Sequence, residues 1–171
     1  MLVEVIQADI TTLEVDAIVN AANSRLAGGG GVDGAIHGAA GPGLMEACRR
    51  IGGCPVGEAR ITPGFDLPSK FVIHAVGPIW SGGARGESDL LRACYRNAMS
   101  LASSHRCESV AFSAISCGVF GYPVEQAARI AVDEVLGTPP GDGIPSRVLL
   151  VCFAEPTLGI YRRVLAQRQS A

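Results

Sequence analysis

Short apolar runs alternate with stretches of helical periodicity along this chain, and this alternation constrains its fold more than any other feature. The runs are rich in Val, Ile and Phe, as buried strands tend to be. They cover residues 3–7, 17–19, 60–62, 71–76, 110–113 and 148–153. Apolar residues recur at helical spacing over residues 91–101 and 124–135. We therefore predict an α/β fold, a three-layer α/β/α sandwich with a mixed, mostly parallel central sheet.

One pair of neighbouring runs predicts the antiparallel part of that sheet. The runs at 60–62 and 71–76 are close in sequence, and the segment between them contains Pro63, Gly64 and Pro68. Proline and glycine favour a tight turn. Because short turns join antiparallel strands, we expect these two runs to pair in opposite directions.

Composition indicates a single domain spanning residues 1–171. The chain is 48% apolar, and no Pro/Gly/Ser-rich linker divides it into halves. The formal net charge is −2 with dispersed Lys and Arg, which excludes tight, sequence-independent binding to a nucleic-acid backbone. The N-terminus lacks a basic segment followed by an apolar one, and no apolar run approaches about 18 residues. We expect a cytoplasmic monomer with no membrane partner.

The cysteine pattern does not predict a disulfide framework or a metal centre. Most of the six cysteines fall inside apolar strand or helix patterns, where a free thiol behaves as a small hydrophobic group. The chain has no C-x-x-C, no H-E-x-x-H and no local cluster of two His and one carboxylate. We predict no metal and no cofactor.

A polar and glycine-rich segment at residues 20–37 indicates a binding site. It follows a predicted strand and begins with Asn20 and Asn23, whose side chains both donate and accept hydrogen bonds. Four successive glycines at 28–31 then let a bulky anion approach the backbone N–H groups. Asp33 follows and is expected to open a helix.

Two further loops follow predicted strands, at residues 7–11 and 113–123. In an α/β sheet, ligands bind where the carboxyl ends of strands feed the N-termini of helices. The loop at 113–123 contains glycines, as the segment at 20–37 does. Two glycine-bearing loops predict two phosphates, or one diphosphate held from both sides.

Three familiar motifs do not account for this site. Gly29, Gly31 and Gly34 satisfy G-x-G-x-x-G, but they begin about ten residues after the strand instead of in a tight turn. Cys54 stands where a Rossmann fold has an acidic residue. Neither G-x-x-x-x-G-K-[ST] nor G-x-S-x-G occurs. A Rossmann dinucleotide site, a P-loop and an α/β-hydrolase are therefore rejected.

Six segments together resemble a macrodomain of the MacroD type. They are QADIT at 7–11, VDAIVNAAN at 15–23, GGGGVDGAIH at 28–37, GGCP at 52–55, VIHAVGP at 72–78 and SCGVFGYP at 116–123. The resemblance runs from about residue 3 to 165. It implies an ADP-ribose-binding α/β/α fold. It also implies hydrolysis of ADP-ribose from modified acidic side chains and of O-acetyl-ADP-ribose, with ADP-ribosylated proteins as partners.

The resemblance assigns residues to each part of that ligand. Asp9 would accept from the adenine amine, the Ile10 amide would meet a ring nitrogen, and Phe153 would lie against the ring. A helix cap for Asp9 and a core position for Phe153 are the alternatives. The remaining expected substrate-binding residues are Asn20, Gly30, Gly31, Val32, Ser116, Cys117, Gly118, Val119 and Phe120.

Asn23, Asp33 and His37 are the expected catalytic residues at the distal ribose. Hydrolysis needs a positioned water and a group that takes or directs its proton. A helix N-terminus favours the charged form of Asp33 and makes it a weak base, so it would orient water while a substrate phosphate assists. His37 lies four residues later on the same helical face, and a structural role is its alternative. Cys117 as a nucleophile is a further alternative, although no histidine partner is evident in the sequence.

Three functions remain open from the sequence. They are a mono-ADP-ribosyl hydrolase, a non-catalytic ADP-ribose-binding module, and a hydrolase of ADP-ribose linked to nucleic acid, which would enter only as a modified substrate. The set of residues at the distal ribose favours the first, because a binding module needs only the adenine and diphosphate contacts.

Overall fold

The computed structural model describes all 171 residues and contains one six-stranded sheet. Its strands are β1 (Leu2–Gln7), β2 (Ala17–Ala22), β3 (Ala59–Pro63), β4 (Phe71–Val76), β5 (Ser109–Phe112) and β6 (Arg147–Cys152). They are ordered β1-β6-β5-β2-β4-β3. Only β3 and β4 pair antiparallel, with Arg60 opposite His74, and the other four pairings are parallel. The predicted mixed, mostly parallel sheet is confirmed.

The structure also contains five α-helices and one 3-10 helix (Ile10–Thr12). The α-helices are α1 (Gly31–Ala40), α2 (Pro42–Ile51), α3 (Glu87–Ser104), α4 (Val124–Leu136) and α5 (Glu155–Gln169). The periodicity predicted α3 and α4, and Asp33 does fall in the first turn of α1. Helices α2 and α5 were not predicted. None of these helices has both the length and the apolar character needed to cross a bilayer.

The helices cover both faces of the sheet, which makes the three layers. Successive residues of β2 point to opposite sides, so Ala17 and Val19 join the core beneath α3, α4 and α5. Ile18 joins a second core with Ile36 of α1 and Leu44 of α2. The alternation within one strand therefore builds both interfaces of the sandwich.

The observed strand bounds differ from the predicted ones by up to three residues, and three of these differences affect the site. Strand β2 continues through Ala22, so Asn20 lies within the strand rather than beyond it. Strands β5 and β6 end one residue earlier than predicted, which leaves Ser113 and Phe153 just outside the sheet. The parallel strands end along the same edge, and there the loops that follow them form a continuous trough.

Candidate functional site

Three adjoining cavities form this trough. We call them the wide cavity (about 550 Å³), the central cavity (about 240 Å³) and the side cavity (about 400 Å³). Gly31, Val32 and Gly118 line both the wide and the central cavity. Asn23 and Phe120 line both the central and the side cavity. An extended ligand can therefore pass from one to the next.

The wide cavity holds the three residues that the resemblance assigned to adenine. Phe153 is 81% exposed at this cavity, so it is not a core residue and offers a free ring face. Asp9 caps the 3-10 helix, since its Oδ1 accepts from the amide of Thr11 at 3.0 Å and from its hydroxyl at 2.7 Å. Its Oδ2 accepts from no protein atom, and the amide of Ile10 is also unpaired within the protein. Capping and ligand binding are therefore compatible for Asp9.

Two loops present unpaired backbone amides to the central part of the trough. The amides of Gly118, Val119 and Phe120 donate to no protein atom. Opposite them, the amides of residues 29–32 are also unpaired, at the N-terminus of α1. Convergent N–H groups at a helix N-terminus form an anion site. The amides alone give this region the chemistry of a diphosphate clamp.

Two residues of the loop at 113–123, Ser116 and Cys117, have structural roles that the sequence did not suggest. The amide of Cys117 donates to the carbonyl of Ala114 at 3.2 Å, so it is not a free donor like its neighbours, whereas Cys117 does line the wide cavity. Its contact with substrate stays a prediction. The Cys117 thiol lies 3.8 Å from the hydroxyl of Tyr161, and burial raises its pKa. Ser116 is buried with φ 64°, and its hydroxyl donates to the carbonyl of Pro78 at 2.8 Å. Both side chains therefore hold the loop in shape.

Asp33 is the buried carboxylate at the centre of the trough. It is 6% exposed and lines the central cavity. Its Oδ1 accepts from Nδ2 of Asn20 at 2.8 Å and lies 3.4 Å from Nε2 of His37. Its Oδ2 accepts no hydrogen bond from the protein, so this oxygen is available to a water or a hydroxyl group.

Asn20 lies beneath the cavity and fixes Asp33 from below. It is 0% exposed, and this corrects the expectation that Asn20 binds substrate directly. Because a carboxylate oxygen only accepts, Asn20 must turn Nδ2 toward Asp33, and the same Nδ2 lies 3.3 Å from Nδ1 of His74. His74 therefore accepts at Nδ1 and donates from Nε2 to the Thr62 hydroxyl at 3.0 Å. Burial lowers the pKa of His74 to about 4, which keeps it neutral.

Asn23 holds the glycine segment in place. Its Nδ2 donates to the carbonyl of Gly28 at 2.8 Å, and its Oδ1 accepts from the amide of Ala27 at 3.1 Å. One N–H of the amide remains for a ligand in the central or side cavity. His37 completes the predicted group, and its Nδ1 is buried without a partner. The structure thus brings Asn23, Asp33 and His37 together, and their catalytic roles stay a prediction.

His37, Cys48 and His74 form a cluster with metal-ligating atoms, all within 4.8 Å of one another. These residues come from α1, α2 and β4, which is why no local motif revealed them. The atoms do not suit a metal ion. Nε2 of His74 carries a proton donated to Thr62, and burial together with the charge of Asp33 raises the pKa of the Cys48 thiol to about 11.

The sequence did not single out several other residues that line the trough. Ala114 lines the wide and central cavities, Thr157 of α5 lines the wide one, and Gly77 lies between the central and side cavities. A Cβ atom on Gly77 would overlap the Ser116 hydroxyl, so only glycine fits there. The position of Gly77 directly after β4 was the sequence feature that could have identified it as a site residue. Thr157 had none, because α5 itself was not predicted.

Comparison with known proteins identifies the family. A family model described as Macro domain matches residues 19–131. An O-acetyl-ADP-ribose deacetylase of Klebsiella pneumoniae is 56% identical over 167 residues, which cover 95% of this chain and 95% of that protein. A macro domain-containing protein of Chlorobaculum tepidum is 55% identical over 166 residues, 97% of this chain and 96% of that one. The chain belongs to the macro domain family.

Solved structures agree with this assignment. The Oceanobacillus iheyensis macrodomain with MES bound has a TM-score of 0.92 at 42% identity, covering 97% of this chain and 91% of that one. The Trypanosoma brucei macrodomain in complex with ADP-ribose has a TM-score of 0.86 at 41% identity, covering 94% of this chain and 68% of that one. The resemblance and the fold class that the sequence indicated are both confirmed.

Proposed function

We propose that this protein binds ADP-ribose and hydrolyses esters at its distal ribose. The substrates are O-acetyl-ADP-ribose and ADP-ribose attached to acidic side chains of proteins. The observation that carries the proposal is the buried carboxylate of Asp33, held by Asn20 with one oxygen free, between two loops of unpaired amides. Relatives more than half identical that are named O-acetyl-ADP-ribose deacetylase support the ester reaction.

The trough accommodates the ligand in one direction. Adenine lies in the wide cavity against Phe153, with Oδ2 of Asp9 and the Ile10 amide at its polar edge. The diphosphate lies between the unpaired amides of the two loops. The distal ribose then enters the central cavity, where it meets Asp33 below and Phe120 at the side. A T. brucei macrodomain in complex with ADP-ribose supports this choice of ligand.

In this arrangement Asp33 orients the attacking water rather than acting as a nucleophile. Its free Oδ2 accepts from the water or a ribose hydroxyl, while Asn20 prevents the carboxylate from rotating. Attack of water on the ester carbonyl breaks the bond to the ribose oxygen and gives ADP-ribose and the free acid. Cys117 is not suited to covalent catalysis, because burial raises its pKa and its thiol contacts Tyr161.

Two variants test this division between binding and chemistry. Asp33→Ala should lower turnover of O-acetyl-ADP-ribose at least about 100-fold, roughly 2.7 kcal/mol of transition-state stabilisation. Its affinity for ADP-ribose, which we expect in the micromolar range, about −7 to −9 kcal/mol, should change little in calorimetry. Gly118→Glu places a negative charge in the amide loop and should abolish binding and turnover together.

The substrate panel distinguishes the alternatives. Wild-type protein should release ADP-ribose from glutamate-linked conjugates and from O-acetyl-ADP-ribose. Binding without turnover of any ester would identify a non-catalytic module, and preferential release from nucleic-acid ends would identify the third function. Undiminished hydrolysis by a binding-competent Asp33→Ala protein would show that the catalytic group lies elsewhere.

A further inference from the structure

The side cavity begins where the distal ribose would end. It shares Asn23, Gly77 and Phe120 with the central cavity, into which Asp33 faces. Its volume of about 400 Å³ exceeds that of the central cavity, about 240 Å³. Neither adenine nor diphosphate reaches it when the ligand lies as described above. A group attached to the distal ribose is the part of a substrate that would enter it.

The lining of the side cavity combines apolar and polar residues. Val76 is 1% exposed and forms the floor with the buried Pro78, while Leu90 of α3 closes one side. Val56 is 41% exposed and lies at the rim. Burial of aliphatic carbon against such a surface is favourable by about 0.8 kcal/mol per methylene.

A glycine-rich segment at residues 81–87 also lines the side cavity, through Ser81, Arg85 and Glu87. The carboxylate of Glu87 accepts from the amides of Ser81 at 2.9 Å, Gly83 at 2.8 Å and Arg85 at 2.6 Å. These hydrogen bonds lower the pKa of Glu87 to about 2, so the carboxylate stays ionised and keeps the segment folded around it. The Glu87 carboxylate is therefore occupied by hydrogen bonds from backbone amides. The Arg85 guanidinium has no carboxylate partner within 4.0 Å.

We propose that the side cavity is an acyl subsite, which takes an aliphatic acyl chain longer than acetyl esterified to the distal ribose. This inference rests on the proposed function. Water adds to the ester carbonyl carbon and the bond to the ribose oxygen breaks, with one proton of the water going to that oxygen. The acid leaves as a carboxylate past Arg85, and its proton passes to solvent. The apolar floor and Val56 select the chain, and Arg85 favours the anionic product.

A chain-length series tests the subsite. We would measure kcat/KM for the acetyl, propionyl and butyryl esters, and calorimetric Kd values for the matching non-hydrolysable amide analogues. A fully buried methylene corresponds to about a 4-fold effect, so the butyramide should bind between about 3-fold and 15-fold tighter than the acetamide. The esters should show the same order in kcat/KM.

A matched pair of variants locates the effect. Val56→Trp fills the rim of the side cavity and should remove the preference for butyryl, while acetyl turnover and ADP-ribose affinity stay within about 2-fold of wild type. Ile51→Trp adds a similar volume at the end of α2, lines none of the three cavities, and should leave the preference intact. Thermal melting of both variants checks that each is folded.

The outcomes distinguish a failure of the acyl subsite from a failure of the proposed hydrolase function. Equal affinity for the acetamide and butyramide analogues would overturn the subsite, even if the acetyl ester is hydrolysed. Tighter butyramide binding that Val56→Trp removes would support the subsite even if no ester is turned over, and only the proposed function would then fail. Loss of the preference in both variants would also overturn the assignment to this cavity. Should Val56→Trp not fold, the wild-type series alone decides.

Discussion

Two glycines of α1, Gly34 and Gly38, differ in the space available for a Cβ atom. This difference gives a test of whether the unpaired amides of residues 29–32 bind phosphate. A Cβ atom on Gly34 would lie less than 3.0 Å from the carbonyl oxygen of Gly29, a separation that real Cβ atoms essentially never show. A Cβ atom on Gly38 would have no neighbour within 4 Å. Neither residue has the positive φ that would strain alanine. We predict that Gly34→Ala moves the glycine segment and that Gly38→Ala does not.

The magnitudes follow from two opposing effects. Alanine gains about 1 kcal/mol over glycine within a helix, so Gly38→Ala should stabilise the protein by about 0.5–1 kcal/mol. In Gly34→Ala, overpacking of about 1–3 kcal/mol opposes that gain. Carbonyl and methyl contact normally requires about 3.5 Å, so the Gly29 peptide must move by roughly half an ångström or more. Losing one amide contact to a charged phosphate costs about 1.5–3 kcal/mol.

Calorimetry with ADP-ribose and thermal melting measure the two effects separately. Gly34→Ala should bind at least about 10-fold more weakly than wild type, since about 1.4 kcal/mol corresponds to one decade. Gly38→Ala should bind as wild type does and melt at a higher temperature. If Gly34→Ala bound ADP-ribose within about 3-fold of wild type, the residue 29–32 amides would not be a phosphate site.

Three further perturbations probe the residues beneath and beside the trough. Asn20→Ala removes the donor shared by Asp33 and His74, so urea unfolding should show a free energy of unfolding about 3 kcal/mol lower than that of wild type. Turnover should fall, and affinity for ADP-ribose should stay unchanged. An unchanged free energy of unfolding would refute this. The pKa of His74 is 6.5 in the unfolded chain and about 4 in the folded protein. The free energy of unfolding should therefore fall by up to about 3 kcal/mol as the pH drops from 6.5 to 4, because only the unfolded chain takes up the proton in that interval. His74→Gln should remove this pH dependence. Cys117→Ser should retain turnover within about 3-fold, unaffected by chelators or reductants, and complete inactivation would restore a thiol mechanism.

Local patterns predicted most of the fold and the position of the site. Strand β1 alternates the buried Val3 and Val5 with more exposed residues, and β4 and β6 are apolar except for His74 and Arg147. Helices α3 and α4 each repeat an apolar stripe, so the residues within each of these elements predict it. Helix α5 was not predicted, although its buried residues Leu158, Tyr161, Val164 and Leu165 are spaced three, three and one apart, as on one face of a helix. Helix α2 is short, and Pro42 with Gly52 marks its ends more clearly than its periodicity marks its face.

The interior of the site could not be predicted, because its contacts are not local. Asn20 after three apolar residues suggests the end of a strand, yet β2 continues to Ala22. A buried asparagine is tolerated there since Asp33 and His74 accept from it, from positions 13 and 54 residues away. The His37, Cys48 and His74 cluster likewise combines three elements. A single sequence contains no signal for such partners.

In the proposed function, backbone amides of the trough bind the diphosphate and side chains carry out the reaction. Substitutions should therefore affect binding and turnover differently. The proposed phosphate donors are backbone N–H groups, which no side-chain truncation removes. Affinity for ADP-ribose should therefore fall only when the backbone moves or a negative charge is introduced, as at Gly34 or Gly118. In the proposed function, the reaction at the distal ribose depends instead on one side chain, Asp33, which accepts a hydrogen bond from the buried Asn20. Substitutions there should lower turnover while binding persists. The proposed function therefore predicts that a single substitution at Asp33 or Asn20 removes catalysis and leaves an ADP-ribose-binding module.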